Sequence, residues 1–176
     1  MGVSLKTLLL LRHAKSSWDE PFLSDHERPL AKRGRKAAPL MGMFMAETDL
    51  IPDLVLCSTA RRAMETWNLA SDHLGDAYQV EILDGLYHAS VRSLISMLRE
   101  IPDSFEKVLM VGHNPTFEDL AMTLVGSGQG ESEREMERKF PTGALAVIDF
   151  PGGGWSEIEA GTGHLRDFVK PRSLRP

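Results

Sequence analysis

Short strand-like runs alternate with helical stretches along this chain, and that alternation constrains its fold more than any other feature. Lys6 to Leu11, Asp53 to Cys57, Gln79 to Leu83 and Lys107 to Val111 read as strands. The stretches Leu30 to Glu47, Ala60 to Leu74 and Val91 to Arg99 read as helices, with Gly34 and Pro39 as weak points in the first. Another helix is expected from Pro115, because proline suits the first helical turn, and it should stop at Gly126. Such alternation implies an α/β fold, a three-layer sandwich of a mostly parallel sheet between helices. Ala144 to Phe150 and Trp155 to Ala160, joined by Pro151-Gly152-Gly153-Gly154, read as a hairpin that makes the sheet mixed. Gly126 to Lys139 is rich in Gly, Ser and charge and reads as a flexible excursion.

The 176 residues suit one domain with a sizeable core, spanning 1–176. A net charge of −5 argues against a general nucleic-acid binder, although a local basic cluster fits within an acidic whole. Cys57 is the only cysteine, so there is no disulfide framework within the chain and no cysteine-based metal cage. The N-terminal apolar run is broken by Lys6 and ended by Arg12-His13, unlike a signal peptide, and no stretch reaches bilayer-spanning length. A cytoplasmic protein without membrane association is the expectation.

Three stretches place cationic groups where apolar strands end: Leu10-Leu11-Arg12-His13-Ala14-Lys15-Ser16-Ser17, Cys57-Ser58-Thr59-Ala60-Arg61-Arg62-Ala63 and Val111-Gly112-His113-Asn114-Pro115. In open α/β sheets the crevice outside the carboxyl ends of the strands takes the ligand. Two arginines and two histidines meeting there make an anion pocket, because the guanidinium fork matches phosphate oxygens. A neutral imidazole is a competent nucleophile towards phosphorus. Arg12, Arg61 and a protonated His113 are expected to hold the phosphoryl charge without a metal or other cofactor. Arg61 is preferred to Arg62, since neighbours at a helix start face different sides and Arg62 suits a solvated or ion-paired position. Lys15, Ser16, Ser17 and Asn114 are candidate substrate-binding residues. A cysteine phosphatase needs an arginine after five intervening residues; Ala63 stands there instead, so Cys57 reads as a buried strand residue.

Arg12-His13-Ala14-Lys15-Ser16-Ser17-Trp18 resembles the Arg-His-Gly-type motif of the histidine phosphatase superfamily. Leu23-Ser24-Asp25 with Arg28-Pro29-Leu30 and Arg33-Gly34, Ser58-Thr59-Ala60-Arg61-Arg62-Ala63 with Glu65-Thr66, and Val111-Gly112-His113-Asn114-Pro115 extend the likeness to the SixA-type phosphohistidine phosphatases. The resemblance implies a phosphoglycerate mutase-like sandwich, His13 as the phosphorylated nucleophile, and Arg12, Arg61 and His113 as the phosphoryl clamp. It also implies a phosphorylated protein substrate, such as a histidine phosphotransfer domain in signal transduction, and inorganic phosphate as product.

Alanine replaces the glycine at position 14, as occurs in the SixA-type branch. The glutamate that serves many relatives as proton donor has no clear counterpart after the third strand; Asp84 is the nearest candidate by spacing. An alkoxide leaving group needs that proton, whereas imidazole leaves with a near-neutral conjugate acid. A weakly placed acid therefore favours a P–N substrate. A small phosphate ester as substrate and a non-catalytic phosphate-binding module are the alternatives.

Overall fold

The computed structural model describes residues 4–128 and 130–174. Strands β1 (Leu5–Arg12), β2 (Leu54–Ser58), β3 (Gln79–Leu83), β4 (Lys107–Gly112), β5 (Val125–Gly128), β6 (Leu145–Pro151) and β7 (Gly163–Val169) form one sheet in the order β3-β2-β4-β1-β6-β7-β5. Only β6 runs against the others: it pairs antiparallel with both β1 and β7, and every other pairing is parallel. Helices α1 (Lys32–Glu47), α2 (Arg61–Ser71), α3 (Val91–Arg99), α4 (Thr116–Leu124) and α5 (Gly130–Arg138) complete the fold.

The three layers follow from the period-2 geometry of strands. Along β1, Leu8 and Leu10 join a core with Leu94 of α3, Phe117 of α4 and Met136 of α5. Leu9 and Leu11 point the other way, into a second core with Met41 of α1 and Trp67 of α2. A continuous leucine run suits a strand covered on both faces. β1 holds the centre of the sheet between β4 and β6, so its carboxyl end opens at the middle of the molecule.

Pro39 does not break α1, and Gly42 lets that helix approach α2: a Cβ there would sit 2.2 Å from the Ala70 carbonyl. Two expectations fail. Gly126 to Lys139 is not a flexible excursion, for it contributes part of β5 and all of α5, whose Met136 is buried. Trp155 to Ala160 is not a strand. It holds a short 3-10 turn in which Trp155 is fully buried and donates from Nε1 to the Phe105 carbonyl, and the partner of β6 is the later segment Gly163–Val169. No helix among the described residues is long and apolar enough to cross a membrane.

Candidate active site

β1 and β4 end in register, Arg12 opposite Gly112, and each is followed at once by a histidine. The His13 amide donates to the Gly112 carbonyl at 3.0 Å, which ties the two strand ends together. The imidazole rings of His13 and His113 then lie with centroids 5.3 Å apart. Both side chains are buried.

The tautomer of His13 follows from its neighbour. Nδ1 lies 2.7 Å from the Ala14 carbonyl oxygen, which can only accept, so Nδ1 carries the proton and Nε2 keeps its lone pair. Burial lowers the His13 pKa to about 3, reinforced by His113, Arg62 and Arg12 and opposed by the bond to Ala14. The ring is therefore neutral, with Nε2 nucleophilic, throughout the physiological range.

His113 departs from expectation. Burial, then the Arg62 charge, lowers its pKa to about 4, so without a bound anion it is neutral, not the protonated group anticipated. An Arg62 Nη2 donor faces its Nδ1 at 3.5 Å, which assigns the proton to Nε2, and Nε2 donates to Ser58 Oγ at 2.8 Å.

The arginines are also reassigned. α2 begins at Arg61, whose side chain turns outward, is 55% exposed and pairs with Glu65 one turn on, at 3.3 Å. Arg62, one step of about 100° round the helix, turns inward with its side chain only 8% exposed. The neighbours face different sides, as expected, but the inward one is Arg62. Its Nη1 donates to the Asp25 backbone carbonyl at 2.7 Å and its Nη2 to the Asp25 carboxylate at 3.0 Å. The Arg12 charge acts on both histidines. Its Nη1 donates to the Phe140 carbonyl at 2.9 Å, and its buried Nε has no protein acceptor. A buried guanidinium donor without a partner suits an incoming anion.

The remaining candidates serve other contacts. Asp84 is exposed and accepts from the Thr59 hydroxyl at 2.9 Å, and Thr59 in turn accepts from His26 Nε2. No contact joins the Asp84 carboxylate to either buried histidine. Lys15 is exposed and lines a separate cleft with Arg33 and Lys170. Ser16 Oγ and the Ser17 carbonyl both accept from Arg28, so these serines build the loop wall. Asn114 Nδ2 donates to the same Phe140 carbonyl as Arg12, and its Oδ1 accepts from the Glu118 amide.

Sequence reasoning quoted Asp25, Arg28 and Ser58 within motifs without placing them among the site residues, and it gave Tyr87 no role. Asp25 is the junction of the wall: its carboxylate takes Arg28 and Arg62, and the Tyr87 hydroxyl donates to it at 2.5 Å. These contacts, Tyr87 foremost, hold the Asp25 carboxyl well below its usual range. The opposite charges of Asp25 and Arg28, three residues apart, were the legible signal. Cys57 is fully buried and burial pushes its thiol up to about 12, so it offers no thiolate near neutrality.

A buried neutral imidazole with a free Nε2, two guanidiniums and a second histidine at the carboxyl ends of parallel strands make a candidate phosphoryl-handling site. Residues 8–91 match the family model for the histidine phosphatase superfamily, branch 1. An uncharacterized protein of Mycobacterium leprae is 36% identical over 92% of this chain and 100% of its own length. The SixA structure from Nakamurella multipartitia superposes with a TM-score of 0.80 at 28% identity, covering 96% of this chain and 97% of its own. That from Agrobacterium tumefaciens gives 0.80 at 28% identity over 94% and 98%. The chain belongs to the histidine phosphatase superfamily and, within it, is of the SixA type. Its activity class is that of a phosphatase.

Proposed function

We propose that this phosphatase removes phosphoryl groups from phosphohistidine on a protein. The observation that carries the reading is the bond from His13 Nδ1 to the Ala14 carbonyl, which leaves Nε2 as the one ring nitrogen free to attack. Arg12, Arg62 and His113 surround the attacked group. Fixed guanidiniums stabilise charge on the transferring oxygens without reorganising in the transition state. Once a phosphate dianion is present, its charge favours protonation of His113.

The His13 Nε2–P bond forms as the substrate P–N bond breaks. With the far nitrogen of the substrate ring protonated, that ring departs as neutral imidazole. The proton stays on His13 Nδ1, donated to the Ala14 carbonyl, leaving a cationic phosphoimidazole. Water then attacks phosphorus, His13 leaves neutral, and dihydrogen phosphate is released. Neither displacement expels an alkoxide, so neither needs a strong general acid. That agrees with an Asp84 carboxylate engaged by Thr59 and with no carboxylate bonded to either histidine. The rim favours a protein over a metabolite: Trp18 and Phe22 present large apolar surfaces, 71% and 99% exposed, on the loop that leads from His13 to α1. Large apolar groups left open in this way suit contact with another protein.

The test is a substrate panel of phosphohistidine protein, phosphoramidate and sugar phosphates, run with wild type, His13→Ala and Asp84→Asn. Rapid quench should trap an acid-labile, base-stable phosphoenzyme that His13→Ala lacks. Asp84→Asn should spare P–N substrates. A preference for sugar phosphates that Asp84→Asn abolishes makes the enzyme an ester phosphatase; absence of adduct and turnover leaves a phosphate-binding module.

A further inference from the structure

Behind the His13 loop lies a second cleft of about 530 Å³, sharing no lining residue with the site above. Lys15 follows β1, Arg33 lies on α1, Arg138 and Lys139 end α5, and Lys170 and Arg172 follow β7. Six cations thus converge from four parts of a chain whose net charge is −5.

Glu135 is the only carboxylate in the lining, and it is already engaged by Lys170 and by Arg138, the latter at 3.7 Å. Lys15, Arg33, Lys139 and Arg172 have no carboxylate partner among the described residues. The dipole of α5 accounts for cations at its end, Arg138 and Lys139. It does not account for Lys15, Arg33 or Arg172, which come from elsewhere in the sequence to the same concavity. Like charges gathered without neutralisation repel one another, and a bound anion relieves that repulsion.

We propose that this cleft binds a polyphosphate group, two or more linked phosphates as in inorganic tripolyphosphate or a nucleoside triphosphate. A single phosphate is too small to meet cations spread round a volume within the usual range for small-molecule sites. The apolar part of the lining, Ala37, Pro141 and Pro171, suits the non-phosphate portion of a nucleotide. The enclosing walls, α1 on one side and α5 with the chain beyond β7 on the other, suit a compact ligand better than an extended acidic peptide.

The test is calorimetric titration of the full chain with tripolyphosphate, ATP, adenosine, inorganic phosphate and a glutamate-rich peptide. Three proteins are compared: wild type, the exposed pair Arg33→Ala/Arg172→Ala, and a control pair that removes equal charge from α1 outside the cleft, Lys32→Ala/Lys36→Ala. Tripolyphosphate should bind wild type and control alike and the cleft pair about tenfold more weakly. Phosphatase kcat/KM should be unchanged in all three, so the result does not depend on the phosphohistidine reading. ATP binding above tripolyphosphate, with adenosine inert, identifies a nucleotide; equal binding identifies the polyphosphate alone. Equal weakening in both pairs, no weakening in the cleft pair, or inorganic phosphate binding as tightly as tripolyphosphate overturns the proposal. So does the glutamate-rich peptide matching tripolyphosphate, which makes the cleft a peptide dock.

Discussion

Arg62 and Asp25, thirty-seven residues apart, are joined twice: once through the Asp25 backbone carbonyl at 2.7 Å and once through its carboxylate at 3.0 Å. The second of these bonds uses the same Nη2 that faces His113 at 3.5 Å. The guanidinium is therefore held in place before any phosphate arrives, and such preorganisation is what makes a fixed charge effective in a transition state.

Arg62→Ala is expected to lower kcat/KM by roughly 10²–10³, the usual scale for one preorganised charge-stabilising donor. Arg61→Ala, which removes an exposed ion pair worth at most about 1 kcal/mol, should stay near the wild-type rate. Steady-state kinetics on one phosphorylated substrate decides between them, and the reverse order of losses would restore Arg61 to the clamp.

Asp25→Asn should act through Arg62. The amide keeps the shape but loses the charge shared by Arg28, Arg62 and Tyr87. A loss of about tenfold in kcat is expected, smaller than for Arg62→Ala because the bond to the Asp25 backbone survives. Tyr87→Phe should be milder still. Equal losses from Asp25→Asn and Arg62→Ala would assign Asp25 a direct part in the chemistry.

Acid should destabilise the fold early. Burial lowers His13 to about 3 and His113 to about 4, whereas both titrate near 6.5 when unfolded. Below about pH 6.5 the unfolded chain takes up protons that the folded chain refuses, so stability falls as pH falls, by about 1.4 kcal/mol per unit for each histidine. The loss is complete near the folded values. Urea unfolding between about pH 7 and about pH 5 should show this slope, and His13→Asn should flatten it by one histidine's share. Parallel slopes in the two proteins would mean that His13 is not held neutral.

Gly34 of α1 sits against the nucleophile loop: a Cβ there would meet the Lys15 carbonyl oxygen at 2.2 Å. That carbonyl accepts from the Ala31 amide at 2.8 Å. Gly34→Ala must push helix and loop apart, at about 1–3 kcal/mol, the range for overpacking. Because the loop begins at His13, activity should fall along with Tm. Gly75→Ala is the contrast: no atom crowds it, but its φ of +72° strains any side chain. That variant should lose stability without losing specific activity.

Legibility followed local pattern. β3 and α3 have the bounds their composition suggests, and β1 differs from its reading by one residue at each end. β7 was hidden because its strand carries His164, Arg166 and Asp167. Arg166 pairs with Asp149 of β6 at 2.7 Å, a cross-strand bond that no apolar alternation announces. β5 was hidden for a steric reason. Its glycines let a neighbouring chain pass: a Cβ on Gly126 would lie 2.0 Å from the Gly161 carbonyl, and one on Gly128 would lie 2.8 Å from the Leu165 Cβ. A glycine-rich segment reads as loose until the chain beside it is known. The three cationic stretches were legible in kind, but not the inward choice between Arg61 and Arg62, which depends on where the helix starts relative to β4. Asp25 was legible as part of a motif but not as a junction, because Arg62 and Tyr87 reach it from segments far along the chain.

The Phe140 carbonyl takes hydrogen bonds from both Arg12 and Asn114, and Gly143, just beyond it, donates to the carbonyls of Arg12 and His13. Every signature motif lies before residue 125, yet the carbonyl that holds Arg12 and Asn114 comes afterwards, together with the strand that flanks β1. A fragment ending there would contain all the recognisable residues but leave β1 as an open edge and Arg12 without its tether. The site is thus a closure between the first and last portions of the chain, complete only when synthesis has delivered both.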